Sequence, residues 1–176
     1  MISWAGRRKG EQFGRLDCYW KRDGIIIKAI TEADEKEKIT ENILCSLPEW
    51  FGIRESRDEY IRLSRKLPYW AAIEDGKPVG FIALKETGPY TAEICVMGIL
   101  REYHRKGIGH QLFAEFHKYA KEKGYRFIQV KTVEAGYFEV YDRTRMFYES
   151  LGFCKLECFP LYWDKWNPCL VMVRTV

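Results

Sequence analysis

AEICVMGILREYHRKGIGHQLFAEFHKYAKEKG, from Ala92 to Gly124, reads as a strand, a glycine-containing turn and a helix in immediate succession. That order is a device for holding a phosphorylated ligand. In Arg105, Lys106, Gly107, Ile108, Gly109 and His110 the two glycines let the backbone turn tightly without Cβ clashes, so the amides converge on one point. They begin a helix and are therefore orphan donors with the positive end of the helix dipole behind them, while Arg105 and Lys106 add full charges. A pyrophosphate fits this electrostatic description.

The turn by itself is weak evidence, because any surface strand-turn-helix corner needs glycine for geometric reasons. Two nucleotide folds are disfavoured by what surrounds it. A P-loop requires Gly-Lys followed by Ser or Thr at the helix start, and here Gly109 is followed by His110 and Gln111. A dinucleotide fingerprint needs a third small residue where Leu112 stands and an acid about twenty residues on, where Gln129 and Lys131 lie in a strand pattern.

A second motif lies about forty residues downstream, FYESLGF from Phe147 to Phe153, with a strand between the two. With both motifs the chain resembles the Gcn5-related N-acetyltransferase (GNAT) family, over roughly Ile25 to the C-terminus. The family's phosphate-loop frame is Gln or Arg, two residues, Gly, one residue, then Gly or Ala. Here it is His104, Arg105, Lys106, Gly107, Ile108, Gly109, so the glycines match and His104 departs. In the late helix the family tyrosine falls on Tyr148. The Asn and Ala that often stand seven and four residues before it are Tyr141 and Thr144 here.

The resemblance implies an α/β fold with a mixed, mostly antiparallel central sheet flanked by helices. Between two parallel strands of that sheet a V-shaped gap would admit acetyl-coenzyme A, the implied acetyl-donor co-substrate. It implies cofactor contacts from His104, Arg105, Lys106, Gly107, Ile108, Gly109 and His110, and from the backbone of Met97 and Ile99, pairing with the pantetheine arm as an added strand would. Arg145 is a further candidate in place of the missing Asn, with a solvated helix charge as its ordinary reading. Two catalytic candidates follow. Glu93 stands fourteen residues before Gly107, the offset of the catalytic glutamate in the histone-acetylating branch. An acceptor amine has a reference pKa of ~10.4 and must lose a proton before it attacks. The competing reading of Glu93 is a solvent-facing acid paired with a lysine on a neighbouring strand. Tyr148 would protonate the leaving thiolate, against the simpler reading of a buried tyrosine filling helix-to-sheet space.

Composition bounds the rest. At 176 residues and 47% hydrophobic the chain suits one globular domain, 25–176, preceded by a basic extension, 1–24, that carries Arg7, Arg8, Lys9, Arg15, Lys21 and Arg22. Net charge is +4, with acids interleaved among the bases, which argues against a nucleic-acid partner. No apolar run approaches the ~20 residues of a membrane span, and no signal-peptide core follows the first basic residues, so a cytoplasmic protein is expected. The six cysteines contain no CxxC pair and only three histidines accompany them, so no metal site is expected. Cys95 and Cys169 read as small apolar thiols.

In chain order the pattern predicts a strand at Ile25–Ile30, a helix capped by Thr31 and Asp34, a second helix at Ser56–Lys66, and a hairpin around Asp75-Gly76. Trp50 and Phe51 stand beside the turn between those helices, as core plugs or as lining of an acceptor pocket. Tyr162, Trp163, Asp164 and Trp166 sit in a tail hairpin that either caps an acceptor pocket, receiving a cation, or buries a homodimer contact. The function expected is acetyl transfer to a primary amine of a small molecule by direct attack in a ternary complex. Two alternatives remain open: a protein N-terminal or lysine acetyltransferase, and a non-catalytic acyl-coenzyme A sensor.

Overall fold

A computed structural model describes residues 24–176. The basic extension, apart from Gly24, lies outside the described residues. Seven strands form one sheet in the order β1-β2-β3-β4-β5-β7-β6. They are β1 (Ile25–Ala29), β2 (Tyr69–Glu74), β3 (Lys77–Gly88), β4 (Thr91–Ile99), β5 (Phe127–Val133), β6 (Cys154–Asp164) and β7 (Asn167–Thr175). Every neighbouring pair is antiparallel except β4 and β5, which are joined by the crossover helix α3 (Ile108–Glu122) and run parallel. Helices α1 (Ala33–Cys45) and α2 (Arg54–Ser64) lie between β1 and β2 in the chain, and α4 (Glu139–Ser150) lies between β5 and β6. The architecture is the mixed, mostly antiparallel α/β sheet that the sequence implied.

Alternation along β3 sorts side chains onto two faces. Ile82 and Leu84 enter a core that holds Leu112, Phe116 and Ala120 of α3 together with Tyr148 and Leu151 at the end of α4. Phe81 and Ala83 enter a second core with Ile39, Ile43 and Leu44 of α1. The sheet is thus covered on both faces through its middle, which explains why its central strands read as almost continuous apolar runs.

Several boundaries move for local reasons. Helix α3 starts at Ile108, inside the glycine turn, because Gly107 takes a left-handed φ of 78° and closes the preceding turn, and Ile108 and Gly109 are already buried. Thr31 does not cap α1: Glu32 holds the N-cap position without a side-chain cap, and the Thr31 hydroxyl turns to the Glu32 carboxylate at 3.5 Å. Asp75 (φ 47°) and Gly76 (φ 76°) make the expected hairpin turn, both left-handed as a two-residue loop of that twist requires. Strand β6 runs through Pro160 to Asp164, tolerated because β6 is the sheet edge and needs no ladder donor on its outer side. No helix among the described residues is long and apolar enough to cross a membrane.

Candidate functional site

The site grows from the parting of β4 and β5. Their register begins at Thr91 and Phe127 and ends at Ile94 and Val130, yet β4 continues to Ile99 and β5 to Val133. A bulge helps to open the gap: Ala83 faces Val96 and Leu84 faces Ile94, leaving Cys95 as the extra residue on β4. The Leu100 amide donates to Val79 of β3, so by strand alternation the backbone polar groups of Met97 and Ile99 point the other way, into the gap.

At the top of β4 the phosphate-loop residues are arranged around an uncapped helix N-terminus. Arg105 (φ 63°) and Gly107 (φ 78°) are both left-handed, and no side chain caps α3. The amides of Ile108, Gly109 and His110 belong to the first turn, whose donors have no intrahelical acceptor. The two glycines differ in purpose. A Cβ on Gly107 would meet nothing within 4 Å, so its φ alone requires glycine, whereas a Cβ on Gly109 would stand 2.8 Å from the Phe147 ring. Gly109 is therefore needed to let α4 pack against the start of α3. The side chains around the loop have partners of their own. Lys106 lies 4.6 Å from the Tyr103 ring centroid, and His110 faces α4, edge-on to Phe147 and 3.4 Å from the Ser150 hydroxyl. His104 does not reach forward to the loop; its Nε2 lies 2.7 Å from the Ile99 carbonyl and bonds to it. Arg145 is tied to Glu149 at 2.5 Å on its own helix, while its buried Nε finds no partner among the described residues.

Below the gap sit the two catalytic candidates. Tyr148 is buried at 8% exposure between Phe147 and Phe153, and its hydroxyl makes no hydrogen bond among the described residues. Burial pushes its phenol well above the usual range, with further upward pressure from Tyr60 and Tyr141, so it stays protonated at any ordinary pH. Glu93 is also buried, at 7%. Its carboxylate accepts a 2.5 Å hydrogen bond from Gln129 and forms an ion pair with Lys131, both on β5. The lysine partner belongs to the competing reading of Glu93, and the burial does not.

Three residues join this cluster that the motif reading left aside. Tyr60 of α2 is lifted to about 12, chiefly by burial and then by the proximity of Cys95, Tyr141 and Glu93. The Cys95 thiol rises to about 11, chiefly by burial and then through Glu93, which makes it a poor nucleophile. Tyr141 is raised by burial alone. Tyr60 lies in a helix with a strongly polar sequence, RESRDEYIRLS, where the aromatic ring was the available signal.

Trp50, in the loop between α1 and α2, is held by α4 and by the turn after β4. Its indole N–H donates to the Thr144 hydroxyl at 3.1 Å, and its carbonyl accepts from the Tyr141 hydroxyl at 2.8 Å. Its ring meets His104 edge-on at 5.9 Å, and the Arg101 guanidinium, ion-paired to Glu49, lies 5.8 Å from its centroid. In the tail hairpin Asp164 is engaged by its own turn, accepting from the amides of Trp166 and Asn167 and from the Asn167 side chain. Tyr162 lies 5.8 Å from Lys131 Nζ, and Leu161 and Trp166 are broadly exposed. Cys45, Cys95, Cys154, Cys158 and Cys169 are free thiols. No metal-ligating cluster occurs among the described residues.

A family profile described as Acetyltransferase (GNAT) family matches residues 36–153. No curated protein matches the chain. Among solved structures, it resembles a GNAT family acetyltransferase from Elizabethkingia anophelis with acetyl-CoA bound, at 18% identity and TM-score 0.67, over 88% of this chain and 100% of that one. It is also similar to an aminoglycoside 6'-N-acetyltransferase from Enterococcus faecium, at 20% identity and TM-score 0.64, over 85% and 96%. The ribosomal-protein-S18-alanine N-acetyltransferase from Escherichia coli aligns at 14% identity and TM-score 0.67, over 86% and 94%. The chain belongs to the GNAT acetyltransferase family: it is an acyltransferase, and acetyl-coenzyme A is its co-substrate. The uncapped α3 amides and the opened strand pair fit that molecule's pyrophosphate and pantetheine arm.

Proposed function

We propose, from membership of this family, that the chain transfers the acetyl group of acetyl-coenzyme A to the primary amine of a small molecule by direct attack in a ternary complex. The observation that carries the reading is a buried carboxylate and a buried, unpartnered phenol flanking one opened strand pair, below a helix N-terminus left free for phosphate. In this reading the Ile108, Gly109 and His110 amides hold the pyrophosphate with Arg105 and Lys106, and Met97 and the Ile99 amide face the arm while the Ile99 carbonyl is held by His104. The Met97 amide polarises the thioester carbonyl.

Glu93 takes a proton from the acceptor ammonium. The amine nitrogen then attacks the carbonyl carbon, a C–N bond forms and the C–S bond breaks. Tyr148 gives its phenolic proton to the departing thiolate, and the second N–H proton of the attacking nitrogen is released to solvent, from which the phenolate is reprotonated. Its raised pKa keeps the proton on the phenol throughout the physiological range and makes it a weaker acid, so the hydroxyl serves the leaving sulfur first as a strong hydrogen-bond donor. Gln129 and Lys131 fix the Glu93 carboxylate in place. The aromatic tail hairpin, with Tyr162 lying 5.8 Å from Lys131 Nζ, supports a small acceptor; the likeness in fold extends to an aminoglycoside and to a protein-alanine acetyltransferase alike. The free thiols fit a reducing, cytoplasmic setting.

Calorimetry with acetyl-coenzyme A on wild type and Gly107→Glu tests the seat, since the substitution places bulk and negative charge among the amides. Binding that disappears in a folded variant supports the seat, and a wild type that does not bind removes it. A panel of polyamines, amino sugars, amino acids and peptides then tests the acceptor, with Tyr148→Phe as control. Turnover confined to peptides would transfer the assignment to protein acetylation, and binding without any turnover would make the chain a sensor.

A further inference from the structure

Three side chains from two separate segments converge on Trp50. His104 comes from the turn after β4, and Tyr141 and Thr144 come from successive turns of α4. The indole therefore bridges the neck of the phosphate loop and the late helix, across the mouth of the gap. Trp50 is partly buried and packs against the second core, but its indole is also held by a directed hydrogen bond to Thr144 and an edge-on His104 ring, and its backbone carbonyl by Tyr141. The same three positions are those at which the chain departs from its family's motifs. An alanine at 144 would leave the indole N–H without this acceptor.

The two ends of the acetyl-coenzyme A arm are set by groups on either side of that indole. The pyrophosphate seat begins at Ile108, four residues after His104, and Tyr148 lies four residues after Thr144, one helical turn along α4. We propose that a pantetheine arm joining those two points passes along the indole and that Trp50 is a positioning residue for it, its ring set by Thr144 and His104 and its backbone held by Tyr141. The proposal rests on the seating of acetyl-coenzyme A described above. Because Phe51, the next residue, packs edge-on against Tyr60 at 6.2 Å, the same loop reaches the cluster around Glu93.

The test separates the arm from the phosphate. Wild type, Trp50→Ala, Trp50→Phe, Thr144→Val and Tyr141→Phe are titrated by NMR with acetyl-coenzyme A and with 3'-phosphoadenosine 5'-diphosphate, which carries the phosphates without the arm. Trp50→Ala should weaken acetyl-coenzyme A binding about tenfold and leave the armless ligand unchanged, while Trp50→Phe retains most of the affinity. Thr144→Val should weaken the full cofactor about threefold with the same selectivity. If Trp50→Ala does not fold, Thr144→Val, which preserves shape, carries the test by itself. Equal weakening of both ligands, or of neither, overturns the proposal. A wild type that binds neither ligand removes the phosphate seat first and the proposal with it.

Discussion

Lys131 on β5 is ion-paired with Glu93 on β4, one residue beyond the last register pair that joins those two strands. The side chains are 22% and 9% exposed. Removing one partner leaves the other charge with its desolvation uncompensated, but partial exposure of the lysine reduces the penalty. Lys131→Met should therefore cost about 1–3 kcal/mol in urea unfolding, and the double substitution with Glu93→Gln should recover much of it. Strict additivity of the two single changes would show that the pair is not coupled.

Glu93→Gln keeps the shape and a hydrogen-bonding side chain while removing the candidate base. A loss of about 100-fold or more in kcat, with acetyl-coenzyme A affinity unchanged, is expected from stopped acetylation assays beside calorimetry. Unchanged kcat would return Glu93 to the simpler reading of a strand acid held by its lysine.

Tyr148→Phe removes a hydroxyl that has no partner among the described residues, so folding should change little. Turnover should fall about 100-fold or more. Wild type should show no titration of this residue in its rate profile below pH 10, since burial holds the phenol above its ordinary value. A variant that turns over normally would leave Tyr148 as a packing residue.

Stability at high pH follows from the same burial. Tyr60, Tyr69 and Tyr148 all have folded pKa values above the ~10 of the unfolded chain. Below pH 10 both states hold these protons and the groups add no slope. Above it the unfolded state binds fewer protons, so unfolding free energy falls by up to ~1.4 kcal/mol per pH unit for each phenol until the folded pKa is reached. Denaturant midpoints at pH 9, 10 and 11 should show the fall beginning near 10, shallower in Tyr148→Phe.

Gly107→Ala and Gly109→Ala should separate the two loop glycines. The first strains a left-handed residue in open space and should cost about 1 kcal/mol. The second drives a methyl into the Phe147 ring and should cost about 1–3 kcal/mol. Adding Phe147→Leu should relieve only the second, which thermal melts of the paired variants would register.

Local patterns made much of this legible in the sequence. The hairpin at Asp75-Gly76 and the apolar stripe of α3 follow from period and turn chemistry, and the glycine turn before α3 follows from backbone freedom. Glu93 and Tyr148 were reachable because a motif fixes their offsets along the chain. Their surroundings were not. Nothing in the spacing of Lys131 and Glu93 announces a pair, since they are thirty-eight residues apart and meet only through β4–β5 pairing. Nor did the motif announce that His104 bonds to the Ile99 carbonyl, a contact that depends on the short turn at Arg101–Tyr103 bringing its ring back beside β4.

The sequence by itself determined the element order, the phosphate-loop backbone and the family, all of which rest on short-range periodicity and on glycines whose conformations are local. Tertiary structure alone decided which groups meet: Tyr60 from α2 near Cys95 and Glu93, and Trp50 from the α1–α2 loop with Tyr141 and Thr144 from α4, Trp50 and Thr144 being bonded across ninety-four residues of chain. Their meeting depends on where the bulge at Cys95 opens β4 from β5 and how the helices pack over the opening. That is a property of the assembled sheet, which no window of sequence contains.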